Sequence, residues 1–228
     1  GDKIFVLCMK GLEQGTGRRL SQIAQENLDP SNAVAVWLGP GHVQEFYRGI
    51  PNCMVIDSEN EQVKRRLVQA FSSDLIRFYY GGDMIGNEVG AAAKNVVGIA
   101  AGFLDGVEMS SLKGALMSRG TREVARLIRA MGGNELSAYG LCHLGDYEAT
   151  VFSPYSHNRQ FGESFIRHQD YHRLAEGYYT VEALMVLSER YQVELPICRA
   201  VHAILYENAD PREQLTELLR RGLRAEFD

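Results

Sequence analysis

Apolar residues follow two different rhythms along this chain. Up to residue 81 they come in short continuous runs separated by turn residues. From residue 83 onward they recur at three- and four-residue spacing. The first rhythm is that of strands covered on their faces, and the second that of helices packed by one face. Residues 4–9 read as a strand buried on both faces, and 33–38 as another, closed by Gly39-Pro40-Gly41. Short strands are predicted at 53–56 and 75–80. A helix is predicted over 18–28, with Leu20, Ile23, Ala24 and Leu28 on one face, broken by Asp29-Pro30. A second runs to about residue 71, with Ser58 as N-cap and Glu61 completing a capping box. Gly81-Gly82 punctuates the change of rhythm.

Beyond it, 87–104 reads as a helix of small residues. That composition costs helix propensity and suits a buried element whose neighbours approach its backbone. Residues 112–131 form an amphipathic helix ended by Gly132-Gly133. Further helices are predicted at 179–191, 196–206 and, opening on Pro211, to about residue 219. The class is α/β followed by all-α.

Composition narrows the function. The chain has 228 residues and a formal net charge of −5, with 45% hydrophobic and 23% charged residues. These values describe an ordinary globular chain and argue against a protein built to grip nucleic acid. Cys8, Cys53, Cys142 and Cys198 are scattered, as in a reduced, cytoplasmic protein without a disulfide framework. The longest apolar stretch, 96–104, is too short to cross a membrane, and no signal-peptide pattern is present. Gly1 stands where Met is usual, almost directly before a strand, which predicts an excised fragment.

Three places carry candidate chemistry. Lys10 follows the first strand, where open parallel sheets bind ligands, or else is a solvated loop lysine. Lys94 sits mid-helix in a small-residue segment. It either faces a cavity, where burial would tune it for proton transfer, or snorkels at a polar edge. Asp146 and Thr150 share a face if helical. Ser156 can cap a helix whose first turn holds His157, Asn158 and Arg159, which makes an anion site or an ordinary capped helix. Cys142 beside His143 reads as a packed thiol and a capping histidine. His168 and His172, four apart, read as a solvated face or loop, so no metal is predicted. Trp37 is expected in the core.

The chain resembles the bacterial-type NAD(P)-dependent glycerol-3-phosphate dehydrogenase family. The resemblance rests on KGLE at 10–13, GPGHVQEF at 39–46, GNEVGAAAKNVVGIAAGFLDG at 86–106 and SRGTREVARL at 118–127. It continues through GLCHLGDYEAT at 140–150, SHNRQFG at 156–162, EGYYT at 176–180, LPI at 195–197 and DPREQLTELL at 210–219. It implies the C-terminal part of a Rossmann-like NAD(P)-binding domain over 1–82. An all-helical substrate-binding and dimerisation domain, like that of 6-phosphogluconate dehydrogenase, would follow over 83–228. It also implies reversible reduction of dihydroxyacetone phosphate to sn-glycerol 3-phosphate for glycerophospholipid synthesis, with NAD or NADP as cofactor.

By the same resemblance Lys94 is the acid/base, Lys10 binds substrate and cofactor, and Asp146 orients Lys94 or a substrate hydroxyl. Thr150, Gly39, Gly41, Ser156, His157, Asn158 and Arg159 would contact substrate. Val43, His157, Leu174 and Glu176 would contact cofactor. His157 stands where the family has arginine, which predicts weaker phosphate binding or compensation by Arg159. Gly41 stands where the family has serine. No Gly-x-Gly-x-x-Gly follows a strand, Gly15-Thr16-Gly17 lacking the third glycine. This predicts that the N-terminal half is missing, that the isolated chain is inactive, and that its open sheet edge favours homodimerisation. The alternatives are a related hydroxyacid or ketopantoate-type dehydrogenase and a non-catalytic helical interaction module.

Overall fold

The computed structural model describes residues 2–220, so Gly1 and the last part of the 83–228 segment lie outside it. Strands β1 (Ile4–Leu7), β2 (Ala33–Leu38), β3 (Asn52–Asp57) and β4 (Ile76–Tyr80) form one sheet in that order. β1 and β2 are parallel, as are β3 and β4, but β2 and β3 are antiparallel. Helix α1 (Leu20–Asn27) makes the first crossover and α3 (Glu61–Phe71) the last. Between β2 and β3 stands only α2 (Val43–Tyr47), which the hydrophobic pattern did not reveal. Five helical residues rise about 7.5 Å, much less than the roughly 20 Å of a six-residue strand. The chain therefore re-enters the sheet from the end it left.

Two local expectations are corrected. β1 stops at Leu7 and is an edge strand among the described residues, with Phe5 37% and Met9 61% exposed. Its continuous apolar run does not mark burial on both faces. Helix α3 is capped by Asn60, whose side chain accepts from the Gln62 and Val63 amides, while Ser58 Oγ donates to the Val34 carbonyl. Trp37 is half-buried, edge-on to Phe78 at 4.7 Å between ring centroids.

Helix α4 (Met84–Gly106) is the spine of the second layer, and every residue from Gly86 to Leu104 is buried. Around it lie α5 (Lys113–Ala130), α6 (His157–Ile166), α7 (Glu176–Tyr191), α8 (Pro196–Tyr206) and α9 (Pro211–Arg220). The small residues of α4 admit neighbouring backbone. A Cβ on Gly102 would lie 2.1 Å from the Arg159 carbonyl oxygen, and one on Gly177 of α7 would lie 2.6 Å from that of Asn95. Val96, Phe103, Ile128, Leu184 and Ile204 fill the helical core. Val36, Leu38 and Val55 of the sheet pack on Met84, Ala91 and Cys142.

Buried polar contacts tie the two layers together. Glu88 of α4 accepts from Arg19 Nη1 at 2.6 Å and from the Ser21 amide at 2.9 Å, at the start of α1. Asp57 at the end of β3 accepts from the Asp83 amide and from Asn87 Nδ2. Glu88 and Asp57 are thus satisfied across the junction, which fixes the sheet against α4. Among the described residues no helix is long and apolar enough to cross a membrane.

Candidate active site

The junction brings Lys10 and Lys94 to one carboxylate. Lys10 lies beyond the end of β1, Lys94 in the middle of α4, and Asp146 in a 3-10 turn, Leu144–Asp146. Asp146 Oδ2 is 2.7 Å from Lys10 Nζ and 3.0 Å from Lys94 Nζ. Lys94 also donates to Thr150 Oγ1 at 2.7 Å, and Thr150 donates to the Asp146 carbonyl at 2.7 Å. Thr150 lies in a π-helical turn, Glu148–Phe152, so the shared face of Asp146 and Thr150 is real although the turn is not α-helical.

The electrostatics follow from burial. Asp146 and Lys94 are buried, while the Lys10 side chain is 23% exposed, so the cluster opens to solvent along Lys10. Loss of hydration pushes the Lys94 ammonium down to about 8; Asp146 opposes the shift and Lys10 adds to it. A lysine of that kind can give a proton near neutrality and take one back a little above it. Lys10 also donates to the Gly39 carbonyl at 3.2 Å. Gly39 has φ +131, and a Cβ there would meet the Met54 Cα at 3.1 Å, so this turn suits glycine. A Cβ on Gly41 would lie 2.7 Å from Met54 Sδ and from the Phe46 ring, which leaves little room for a serine side chain.

The phosphate-site candidates divide. Ser156 caps α6, accepting from the Arg159 amide. Asn158 is buried, packs near Gly98 one turn beyond Lys94, and accepts from the Gly177 amide at 2.9 Å. Glu176, first residue of α7, accepts from Asn95 Nδ2 at 3.4 Å, and its charge acts on Lys94. His157 is exposed and its Nδ1 bonds the Tyr171 hydroxyl at 2.9 Å. Arg159 is not brought to Lys94. Its Nη1 is 2.7 Å from Asp105 and 3.0 Å from Glu163, and Asp105 lies eleven residues, or roughly 16 Å, along α4 from Lys94. Compensation for His157 by Arg159 is therefore not what this geometry offers. Val43 and Leu174 are 63% and 65% exposed.

Other expectations resolve by burial. Cys142 is buried and its thiol is pushed up to about 12, which makes it inert packing. His143 stands at the N-cap of the Leu144–Asp146 turn but its side chain makes no cap bond; it is wholly buried, and burial pushes it down to about 4. Residues 168–175 are not helical, so His168 and His172 share no helix face. Sequence reasoning missed Tyr171, Asn95 and Asp105, each of which acts through a partner distant in sequence, and Tyr147, whose partner His143 is four residues away.

For a nicotinamide cofactor, the residues present fit the reacting end. Lys10 and the glycine turn at 39–41 converge where the parallel pair β1 and β2 ends, the usual ligand crevice of such sheets. Gly17, with φ +69, is no phosphate cradle, since a Cβ there would strike Leu187 at 2.8 Å.

Comparison with known proteins gives the family. Residues 83–216 match the family model described as NAD-dependent glycerol-3-phosphate dehydrogenase C-terminus, and residues 1–64 match its N-terminus counterpart. The second match corrects the expectation of a missing N-terminal half: that domain is represented here, through β1, β2, β3 and the start of α3. A glycerol-3-phosphate dehydrogenase [NAD(P)+] from Fusobacterium nucleatum is 36% identical over 99% of this chain and 70% of its own length. One from Agrobacterium fabrum has the same identity and coverage. The crystal structure of glycerol-3-phosphate dehydrogenase from Coxiella burnetii superposes with a TM-score of 0.87 at 31% identity, covering 95% of this chain and 68% of that one. A ketopantoate reductase from Ralstonia eutropha shares the fold alone, at a TM-score of 0.53 and 12% identity. The chain belongs to the NAD-dependent glycerol-3-phosphate dehydrogenase family, oxidoreductases that act on a CH–OH group with NAD or NADP.

Proposed function

We propose that this chain reduces dihydroxyacetone phosphate reversibly to sn-glycerol 3-phosphate, for glycerophospholipid synthesis. The observation that carries the reading is the buried Lys94 ammonium held between Asp146 and Thr150, with Lys10 on the same carboxylate. The reduced nicotinamide, when bound, supplies the hydride to the carbonyl carbon. Lys94 gives its proton to the carbonyl oxygen as charge develops there, and takes it back in the reverse direction. Lys10 keeps positive potential beside that oxygen. Asp146 holds both ammonium groups, and Thr150 fixes the Lys94 rotamer. Ser156, His157, Asn158 and the free amides opening α6 face the phosphate, with Gly39 and Gly41 on the strand side. Val43, Leu174, Glu176 and His157 line the cofactor side. Residues 1–82 act as the dinucleotide-binding part and 83–228 as the substrate-binding part of a cytoplasmic homodimer.

The test is the pH dependence of the two directions. Oxidation of glycerol 3-phosphate needs unprotonated Lys94, so its rate should rise with pH and level off above a midpoint of about 8. Reduction needs the ammonium and should fall above the same midpoint. A reduction rate flat from about pH 6 to 10 would exclude Lys94 as the proton donor.

Arg159 supplies a second check. Arg159→Ala removes charge-assisted bonds worth about 1.5–3 kcal/mol and should lower the melting temperature by several degrees. KM for dihydroxyacetone phosphate should stay within about twofold, whereas loss of a direct phosphate ligand worth about 1.4 kcal/mol or more would raise it about tenfold.

A further inference from the structure

His143 and Tyr147 are the least expected side chains near the site. Both are wholly buried, and both belong to the segment that carries Asp146 and Thr150. His143 Nδ1 lies 2.8 Å from the Gly90 carbonyl oxygen and its Nε2 lies 2.6 Å from the Tyr147 hydroxyl. A carbonyl can only accept, so Nδ1 carries the proton and Nε2 accepts from the phenol. The imidazole is thus neutral with both nitrogens satisfied, which a buried histidine requires. The two rings also meet edge-on at 4.8 Å between centroids.

These contacts anchor the segment on two helices. In an α-helix the Gly90 carbonyl is the acceptor of the Lys94 amide, so His143 grips the turn of α4 that presents Lys94. Gly90 permits this, because a Cβ there would already sit 3.1 Å from the His143 Cβ. On the other side Gly120 of α5 leaves room for the phenol: a Cβ there would lie 3.3 Å from the Tyr147 hydroxyl. The His143 carbonyl in turn accepts from the Asp146 amide at 3.0 Å. One face of the segment is therefore pinned beneath α4 and α5 while the other presents Asp146 and Thr150 to Lys94.

We propose that the His143–Tyr147 hydrogen bond is a positioning device that sets the Asp146 carboxylate and the Thr150 hydroxyl on Lys94. Neither ring touches the reacting atoms, so both act through the two residues they carry. The inference rests on the proposed role of Lys94. The charged groups acting on Lys94 are Asp146, Lys10 and Glu176; those acting on His143 are Lys94 and Asp146. Thr121 hydrogen-bonds the Tyr147 phenol, and Cys198 and Glu123 act on it by charge. Of these, Asp146 is the one the pair moves. If Asp146 draws back, Lys94 loses the ion pair that opposes its desolvation, and its titration shifts to lower pH.

Tyr147→Phe keeps the ring and removes the hydroxyl. The lysines of the chain are Lys3, Lys10, Lys64, Lys94 and Lys113, so selective 13Cε labelling yields a spectrum in which Lys94 can be titrated directly. The Lys94 midpoint should fall by about half a pH unit or more in Tyr147→Phe. Turnover of dihydroxyacetone phosphate should drop about tenfold to a hundredfold in kcat with KM little changed. His143→Asn, which keeps a donor toward Gly90, should retain more turnover than His143→Leu. A Tyr147→Phe protein that melts earlier but keeps the wild-type Lys94 midpoint and kcat would overturn the proposal, since the pair would then serve stability alone. Should Tyr147→Phe not fold, His143→Asn decides by the same two readouts. The titration needs no turnover. A shifted midpoint in a protein that does not reduce dihydroxyacetone phosphate would support the positioning and sink the assigned substrate.

Discussion

Lys94→Ala should reduce the turnover of dihydroxyacetone phosphate by about a thousandfold, within the range for loss of a positioned acid–base group. No neighbour can take over. The Lys10 ammonium is held by Asp146 and the Gly39 carbonyl. His143 lies behind the segment with its Nδ1 hydrogen committed to Gly90. The substitution leaves Asp146 paired with Lys10, so the protein should still fold, which circular dichroism and a melting curve can verify. Lys94→Arg separates charge from proton transfer. A guanidinium retains the positive charge but does not release a proton in a protein. Arginine should therefore rescue little, and initial rates of NADH or NADPH consumption measure this. Rates of Lys94→Ala within a few-fold of wild type would remove Lys94 from the mechanism.

Gly102→Ala should damage the fold more than any comparable change on the surface. Its Cβ would lie 2.1 Å from the Arg159 carbonyl oxygen, 2.7 Å from the Glu163 amide nitrogen and 2.9 Å from the Gly162 Cα. All three are backbone, which cannot rotate away as a side chain can. Helix α6 would have to move off α4 by about 1 Å, carrying Asn158 with it, to restore ordinary contact distances. A cost of about 3 kcal/mol or more is expected, at the upper end for overpacking. Gly114, exposed near the start of α5 with nothing within 4 Å of the place a methyl would occupy, is the control. There alanine should be neutral or stabilise by up to about 1 kcal/mol, because it reduces the freedom of the unfolded chain. Thermal melts of the two variants side by side test the claim. A Gly102→Ala protein as stable as wild type would mean that α4 and α6 do not cross backbone to backbone.

Much of this architecture was legible from residue patterns. β2 and α8 lie where the hydrophobic pattern puts them, to the residue. The small-residue density of 87–104 announced a helix approached closely on its backbone, and the approach is seen at Gly102, Gly162 and Gly177. Ser156 caps its helix as the local chemistry requires. The misses share a physical cause. A continuous apolar run states that side chains want cover, not that a packed layer supplies it, so β1 read as covered on both faces. Ser58 and Asn60 are both good caps, and the choice depended on Ser58 finding the Val34 carbonyl across the sheet. Arg159 read as an anion ligand because its partner, Asp105, lies on another helix. His143 offered no local sign that Gly90 and Tyr147 would satisfy both its nitrogens. The link between β2 and β3 carries no hydrophobic period long enough to reveal a five-residue helix, which hid the antiparallel pairing.

The most direct measurement is a comparison of ketone substrates at fixed NADH or NADPH, with the alcohol product identified. Dihydroxyacetone phosphate, unphosphorylated dihydroxyacetone and ketopantoate would be offered in turn. Turnover is expected with dihydroxyacetone phosphate, with sn-glycerol 3-phosphate as product, and little or no rate with the other two. Preferential turnover of ketopantoate, or no turnover of dihydroxyacetone phosphate by folded protein that binds the nicotinamide cofactor, would contradict the proposed function.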